Sequence, residues 1–457
     1  MRRHVCISLV LIALGAVCIC QYMFPALPEK AKIRLNLKEC VARALKISPE
    51  IESEESKLGI AKAQYQETLS LKYLSNIELT NISTIAPAVN LAKNDLLDLG
   101  TRNDWTRVGL FNKFELKFIQ PIYTFGRIRN SIEAARFGVE AQEKSINQKQ
   151  SEITFRIIKL YYAKLLAEEL LGVVEEAKKI VNKAVSTLEE MLTDLNSSSV
   201  SETDLFRMRL FSYEIEKLYR DVVKEKTLTL SSLKLMLDYG DDVSFDVSDQ
   251  FLEPEVYQIL NLRDYREMMI KCRPEIARLN AAVAAQDALK KVSQSLYYPQ
   301  IFISGGTSLA FAPIRDDIKN PFLSDPWNYT RLGVVLGISL PLNFPQIKAR
   351  IRKQEYAVEK IEAQKSATLN LFFLEVEKAY RNLINTKKDM EDNKKALRMS
   401  REWLTTEQIT FDLDASNTKD LAEAVKEYIR VKTEYYSSIY QYNIAIAELK
   451  LVTGIVD

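Results

Sequence analysis

From Lys348 to Val452 the chain contains no proline and no glycine, and apolar residues recur through it at intervals of seven. Leu369, Val376, Leu383, Met390, Leu397 and Leu404 share one such register; after a polar interruption, Leu421, Tyr428, Tyr435, Tyr442 and Leu449 share another. A strict seven-residue repeat keeps one stripe of a helix facing a partner, so the pattern predicts a coiled-coil seam that runs out, turns and returns. The outgoing leg, Ile347 to Phe411, would be about 95 Å long at the helical rise per residue. No ordinary globular core needs a helix of that length.

A second such stretch lies in the first half. Between Arg127 and Tyr239 there is no proline, and Ile153, Leu160, Ala167, Val174, Val181, Leu188 and Leu195 keep heptad register. Asn196-Ser197-Ser198-Ser199 interrupts it, and Met208, Ile215 and Val222 carry the return. Gly240-Asp241-Asp242 ends that leg, as Gly454 ends the other.

Ahead of each hairpin the period changes from helical to alternating. Helical spacing at Leu37, Val41, Ala44 and Leu45, and a further helix from Pro49 to about Leu71, give way near Tyr73. Tyr73, Ile77 and Leu79 then alternate with mostly polar neighbours, and a polar connection over Ser83 to Asp104 follows. Phe114, Leu116 and Phe118 alternate with Glu115, Lys117 and Ile119 up to Gln120-Pro121. The second half repeats the order. Arg273-Pro274-Glu275-Ile276 matches Ser48-Pro49-Glu50-Ile51 at an offset of 225, and Leu340-Pro341 matches Gln120-Pro121 at 220. Leu332, Val334, Leu336 and Ile338 alternate with Arg331, Gly333, Val335 and Gly337.

The reading is a tandem duplication, mainly α with a small β part. Residues 1–20 form a signal segment. Residues 21–253 form the first repeat: a helix, a strand pair at 72–82 and 105–121, and a helical hairpin at 127–239. Residues 254–457 form the second: a helix, a strand pair at 297–311 and 330–343, and a hairpin at 346–453. Four strands and two rods do not close on themselves. Strands apolar on one face and small or polar on the other are what a transmembrane barrel shows, and in lipid an open edge is not tolerated. Copies of the chain must then finish the barrel, and three copies give twelve strands. The competing arrangement is a soluble antiparallel sheet with one buried face. Against it, the helices are committed to their own seams and leave nothing to cover such a sheet.

The N-terminus reads MRRHVCISLVLIALGAVCICQ: two arginines, then an apolar run over Val5–Cys20. That is the pattern of a secretory signal, and the run is shorter than the roughly 20 residues of a bilayer span. Cys18 and Cys20 raise lipidation as an alternative, against which stand Ala16-Val17 and Cys18-Ile19, not the small pair such processing prefers. With Arg2 and Arg3 removed, 61 basic residues balance 61 acidic ones, and a neutral chain gives no support for nucleic-acid binding. The single histidine, His4, lies in the same segment. Its loss excludes Ser-His-Asp and Cys-His catalysis and the usual zinc ligand sets, and no phosphate-cradling glycine motif is present. No enzyme activity, cofactor or metal is expected. Cys40 and Cys272 are expected as two buried free thiols, with a bridge between them as the alternative.

Several segments resemble the TolC-like outer-membrane efflux proteins. They are LNLKECVARALKISPEI, FIQPIYTFGRIRNSIEAA, VSETDLFRMR, SLPLNFPQIKARIRKQE and the stretch from Asn417 to Gly454. Their order and duplication cover nearly all of the chain beyond the signal segment. The resemblance implies a homotrimer, with a twelve-stranded barrel in the outer membrane of a Gram-negative bacterium and a helical tunnel across the periplasm. It implies an exit duct for small molecules, ions or proteins in tripartite efflux or type I secretion, docked to a periplasmic adaptor and an inner-membrane pump. It places Asp420 and Glu423, and at the first turn Asp204 with Arg207, around the inner constriction. It places adaptor contacts at the hairpin tips, Ser198, Ser199, Val200, Asp414, Ala415 and Ser416. Family turns usually carry Gly-Leu ahead of the Asp, where this chain has Ser198-Ser199 and Asp414-Ala415.

For Asp204 and Asp420 the sequence also supports helix capping, since each precedes an apolar-periodic run. Trp105, Tyr123, Trp327 and Tyr329 flank the predicted strands, as membrane-interface aromatics do. Tyr428, Tyr435, Tyr436, Tyr440 and Tyr442, at helical spacing, are expected to pack with their hydroxyls on polar neighbours. The alternative function is a periplasmic coiled-coil adaptor (membrane fusion) protein. That class carries one hairpin within glycine-rich β structure, against two hairpins and 13 glycines here.

Overall fold

A computed structural model describes residues 32–73, 76–90, 102–193, 201–240, 243–315, 325–413 and 418–455. The signal segment 1–20, Cys18, Cys20 and all six tip residues (Ser198, Ser199, Val200, Asp414, Ala415, Ser416) lie outside them. In chain order the elements are β1 (Lys32–Leu35), α1 (Leu37–Ile47), α2 (Pro49–Ser70), β2 (Asn76–Asn90), β3 (Arg102–Tyr123), α3 (Arg127–Thr193) and α4 (Glu202–Met236). They continue with β4 (Ser244–Val247), α5 (Leu262–Cys272), α6 (Pro274–Gln294), β5 (Gln300–Phe311), β6 (Tyr329–Ser339), α7 (Phe344–Asp412) and α8 (Thr418–Thr453). The chain divides into two compact units, one of Met1–Ile51, Lys149–Cys272 and Leu374–Asp457, the other of Glu52–Gln148 and Arg273–Phe373.

The first unit is mainly helical, and its core follows the heptads. Val174, Val181 and Leu188 of α3, Met208 and Ile215 of α4, Leu404 of α7 and Leu421 and Tyr428 of α8 form one buried cluster. Val376, Leu383, Tyr442 and Leu449 are buried as their register requires. Two of the long helices also bear apolar residues on their surface: Leu210, Tyr213 and Leu235 on α4, and Leu374, Met399 and Ile409 on α7, are exposed. α1 starts at a capping box, with Asn36 Oδ1 accepting from the Glu39 amide (2.9 Å) and Glu39 Oε2 from the Asn36 amide (2.8 Å).

A parallel two-stranded sheet, β1 against β4, was not anticipated. Four-residue strands are too short for an alternating pattern to stand out. After β4 the chain is tied down by hydrogen bonds: Tyr161 Oη donates to Asp249 (2.8 Å), Tyr162 Oη to Glu255 (2.6 Å), and fully buried Asn443 bonds both the Glu253 carbonyl (2.8 Å) and the Glu255 amide (2.9 Å). Lys164, buried in α3, holds Glu168 (2.8 Å) and Asp246. The thiols correct the expectation of two buried cysteines: both are free, Cys40 is buried, but Cys272, the last residue of α5, is exposed.

The second unit holds an antiparallel sheet in the order β2-β3-β5-β6. The strands are displaced from their expected bounds. The connection expected from Ser83 is strand as far as Asn90, with an irregularity between Pro87 and Ala88 where the alternation breaks. β3 runs past Gln120-Pro121 to Tyr123, β5 begins at Gln300 rather than 297, and β6 ends at Ser339 rather than 343. The Pro274 helix starts as the Pro49 helix does, behind an extended residue: Ser48 has φ −66°, ψ 119° and Arg273 φ −68°, ψ 119°.

Candidate functional site

Two places carry the features a duct would need: the hairpin-turn end of the first unit and the two faces of the sheet in the second.

At the turn end, Ser201 caps α4 in a box with Asp204, whose Oδ2 accepts from the Ser201 hydroxyl (2.7 Å) and amide (3.3 Å). Its Oδ1 accepts from Arg207 Nη1 (3.1 Å) and from the Thr418 hydroxyl (2.7 Å) at the start of α8. These bonds, from Thr418 first and Ser201 next, hold the Asp204 carboxyl below its ordinary value of 3.8. Asp204 is thus spent on joining two helix starts. Asp420, in the first turn of α8 where its charge favours the helix dipole, and Glu423 are both exposed. The two halves therefore differ: one turn end presents exposed carboxylates on its surface, the other an engaged one.

About two turns further along α8, Tyr428 is buried and its hydroxyl donates to Glu176 of α3 (3.2 and 3.3 Å), which also accepts from Lys432. Arg401 of α7 is held charged by its bond to Tyr428. Three helices meet on this polar knot, and the tyrosine packs as its spacing predicts.

In the sheet, pairing registers separate two faces. Ile77 pairs with Phe118, Leu79 with Leu116 and Ile85 with Leu110. Phe114 pairs with Leu309, Thr307 with Leu332, Gly305 with Val334 and Ile303 with Leu336. This face bears no charge, and its large side chains are open, Leu332 81%, Leu336 70% and Leu79 70% exposed. The opposite face carries Glu78, Lys113, Glu115, Lys117, Ser304, Gly306, Ser308 and Arg331. Glu115 bridges Lys113 (3.1 Å) and Lys117 (2.9 Å). Among the described residues β2 and β6 pair on one side only, so both edges are open.

The four aromatics expected at the membrane interface fall into three settings. Trp105 is exposed on β3. Tyr123 sits at the other end of β3 in a ring group that sequence reading did not assemble: Tyr123 meets Phe125 edge-on (4.7 Å between centroids), and Phe125 stacks on Tyr298 (5.2 Å). All three positions directly flank strand ends, which was the available signal. Trp327 and Tyr329 are half-buried beside Ala86, Phe111, Ala310 and Ala312. Tyr329 pairs with Ala310 and so shares the polar face, away from the apolar one. The same cluster holds Arg315, which nothing in the sequence marked. Its guanidinium is buried, donates to the Pro87 carbonyl (2.7 Å) and Asn103 Oδ1 (3.1 Å), and lies 5.1 Å from the Trp327 ring. Ile314 packs so closely on Gly109 that a Cβ there would stand 2.7 Å from it.

The two strand-to-helix exits differ. The first turns through left-handed Phe125 and Gly126, whereas no described residue between 340 and 346 has positive φ and Pro345 is the second residue of α7. No helix among the described residues is long and apolar enough to cross a membrane.

No family profile and no characterised relative matches the chain by sequence. Solved structures do match its fold. The outer-membrane channel OprN aligns with TM-score 0.75 at 14% identity, over 92% of this chain and 90% of that one. The outer membrane protein VceC of Vibrio cholerae gives 0.73 at 14%, over 92% and 96%. The CmeC outer membrane channel of Campylobacter jejuni gives 0.71 at 16%, over 92% and 85%. Over 92% of its length, the chain has the fold of the TolC-like outer-membrane channels that its motifs resemble.

Proposed function

We propose that this chain is one third of an outer-membrane exit duct. The observation that carries the reading is the sheet, with one uncovered apolar face, one charged face and two open edges. In water the apolar face would be a large exposed hydrophobic patch, and in lipid the open edges would leave backbone groups unpaired. Both costs vanish if sister copies complete a barrel with the apolar face outward. The strand directions permit it. Each neighbouring pair is antiparallel, so β6 and β2 run in opposite senses and β6 of one copy can pair with β2 of the next. Three copies give twelve strands, and the exposed apolar residues of α4 and α7 supply a seam between copies. The barrel would sit in the outer membrane of a Gram-negative bacterium, with the helical part in the periplasm, and the two segments 21–253 and 254–457 would be repeats of one unit.

In this duct Asp420 and Glu423 line the inner mouth, six carboxylates around one axis. Crowded like charges attract cations and disfavour anions. An inner-membrane pump and a periplasmic adaptor meeting the hairpin tips complete the path, and the protein moves its substrate without chemistry of its own. The likeness in fold to proteins named as outer-membrane channels supports this reading.

The test is the purified protein in detergent and in planar bilayers. A trimer with ion conductance is expected, and D420N/E423Q should lower its cation preference. A monomer that conducts nothing overturns the duct.

A further inference from the structure

Where β3 leaves the sheet, the chain turns into α3 within three residues. Phe125 (φ 47°) and Gly126 (φ 87°) are both left-handed there, and a side chain at Gly126 would also crowd Asn130 at 3.2 Å. The turn opens a cavity of about 550 Å³ between the end of α2 and the start of α3. Leu69, Ile122 and Ile132 give it apolar walls, and Lys72 and Arg129, both exposed, bring two cations to it. Among the described residues no carboxylate lines it. Tyr73 and Tyr123, 66% and 55% exposed, stand beside it, and the Lys72 ammonium lies 5.3 Å from the Tyr73 ring.

Two like charges and greasy walls in one cavity call for an amphiphilic anion. A small soluble anion would satisfy the cations and leave the walls wet. The location narrows the choice. The cavity lies at the helix end of the uncovered apolar sheet face, among exposed tyrosines, where a barrel passes from hydrocarbon to headgroups and where lipid phosphates sit. Basic side chains at that level attract anionic headgroups.

We propose that this cavity binds the phosphate headgroup of an anionic phospholipid, Lys72 and Arg129 contacting the phosphate and Leu69, Ile122 and Ile132 the first carbons of the acyl chains. It rests on the reading of the sheet as part of a membrane barrel.

The test is native mass spectrometry of the full chain, delipidated in mild detergent and titrated with phosphatidylglycerol. K72Q/R129Q should weaken retention about 30-fold, each basic side chain contributing roughly five- to sixfold. K72R/R129K should retain the lipid, and K394Q/R398Q, in the other unit, should match the unaltered protein. If the double variant does not fold, R129Q alone, at an exposed helix position, should show the roughly sixfold loss. Equal retention in every variant overturns the site, as does displacement of the lipid by millimolar inorganic phosphate, which would make it a free-anion site. Conductance of the same variants separates the two readings. Conductance with unaltered lipid retention ends the lipid site alone, and site-dependent retention without any conductance ends the duct alone.

Discussion

The Thr418 hydroxyl donates a 2.7 Å hydrogen bond to Asp204 Oδ1, so the first turn of α8 is fastened to the first turn of α4 across 214 residues of chain. Thr418 is buried and the Asp204 side chain is 22% exposed, which makes this a sheltered, charge-assisted contact. Removing either partner should cost about 1–2 kcal/mol, and a double-mutant cycle of D204A with T418V should give a coupling near 1 kcal/mol in denaturant unfolding. A coupling of zero would show that the two turns are held together by their apolar neighbours alone. The Asp204 carboxyl is held below 3.8, so its stabilisation is present above that pH and is lost as the pH falls through the folded value. D204N should therefore flatten the acid limb of the stability curve below about pH 4.

The Glu176 knot makes an asymmetric prediction. Y428F removes one hydroxyl from a carboxylate that keeps Lys432, and should cost about 1 kcal/mol. E176A strands a lysine whose side chain is only 12% exposed, and should cost about 2–4 kcal/mol. Unfolding free energies of the two variants, side by side, decide it; equal losses would mean that the lysine finds water.

Arg315 gives a third. R315A leaves the Pro87 carbonyl and Asn103 without their donor and removes the cation from Trp327. A loss of about 2–3 kcal/mol is expected. R315K should recover the two hydrogen bonds at best, since both leave a single nitrogen, Nη1, and should still lose the guanidinium's contact with the Trp327 ring. Amide hydrogen exchange at Ala312–Arg315 reads this locally, and unchanged protection in R315A would contradict it.

Thiol labelling of the folded chain should mark Cys272 and spare Cys40. Cys272 is exposed, whereas Cys40 is fully buried, with its thiol pushed up to about 12 by that burial. Peptide mapping after maleimide treatment checks it, and label on Cys40 without denaturant would mean that the α1 region opens readily.

Much of the architecture could be read from periodicity. Val174, Val181, Leu188, Leu421, Tyr428 and Leu449 were named from a seven-residue spacing and are buried together or in register. Leu332 to Ile338 were named from a two-residue spacing and share one sheet face. Strand ends were less legible. β2 continues through Ser83 and Thr84 because they pair across the strands with Asn112 and Phe111, partners that the local polar composition does not show. Asp204 and Asp420 look alike in sequence, but one is bonded across the turn end and the other is exposed.

By itself the sequence determined that this chain builds long paired helices and two-faced strands. Helical and strand periods depend only on how consecutive residues project from the backbone, so a repeating pattern is enough to reveal them. Only the tertiary structure decided which carboxylate is engaged, that Arg315 reaches the Pro87 carbonyl 228 residues away, that Cys272 is open, and that a cavity with two cations lies where β3 meets α3. Those facts depend on partners brought together by the closing of the chain on itself, and no local pattern names a partner that distant.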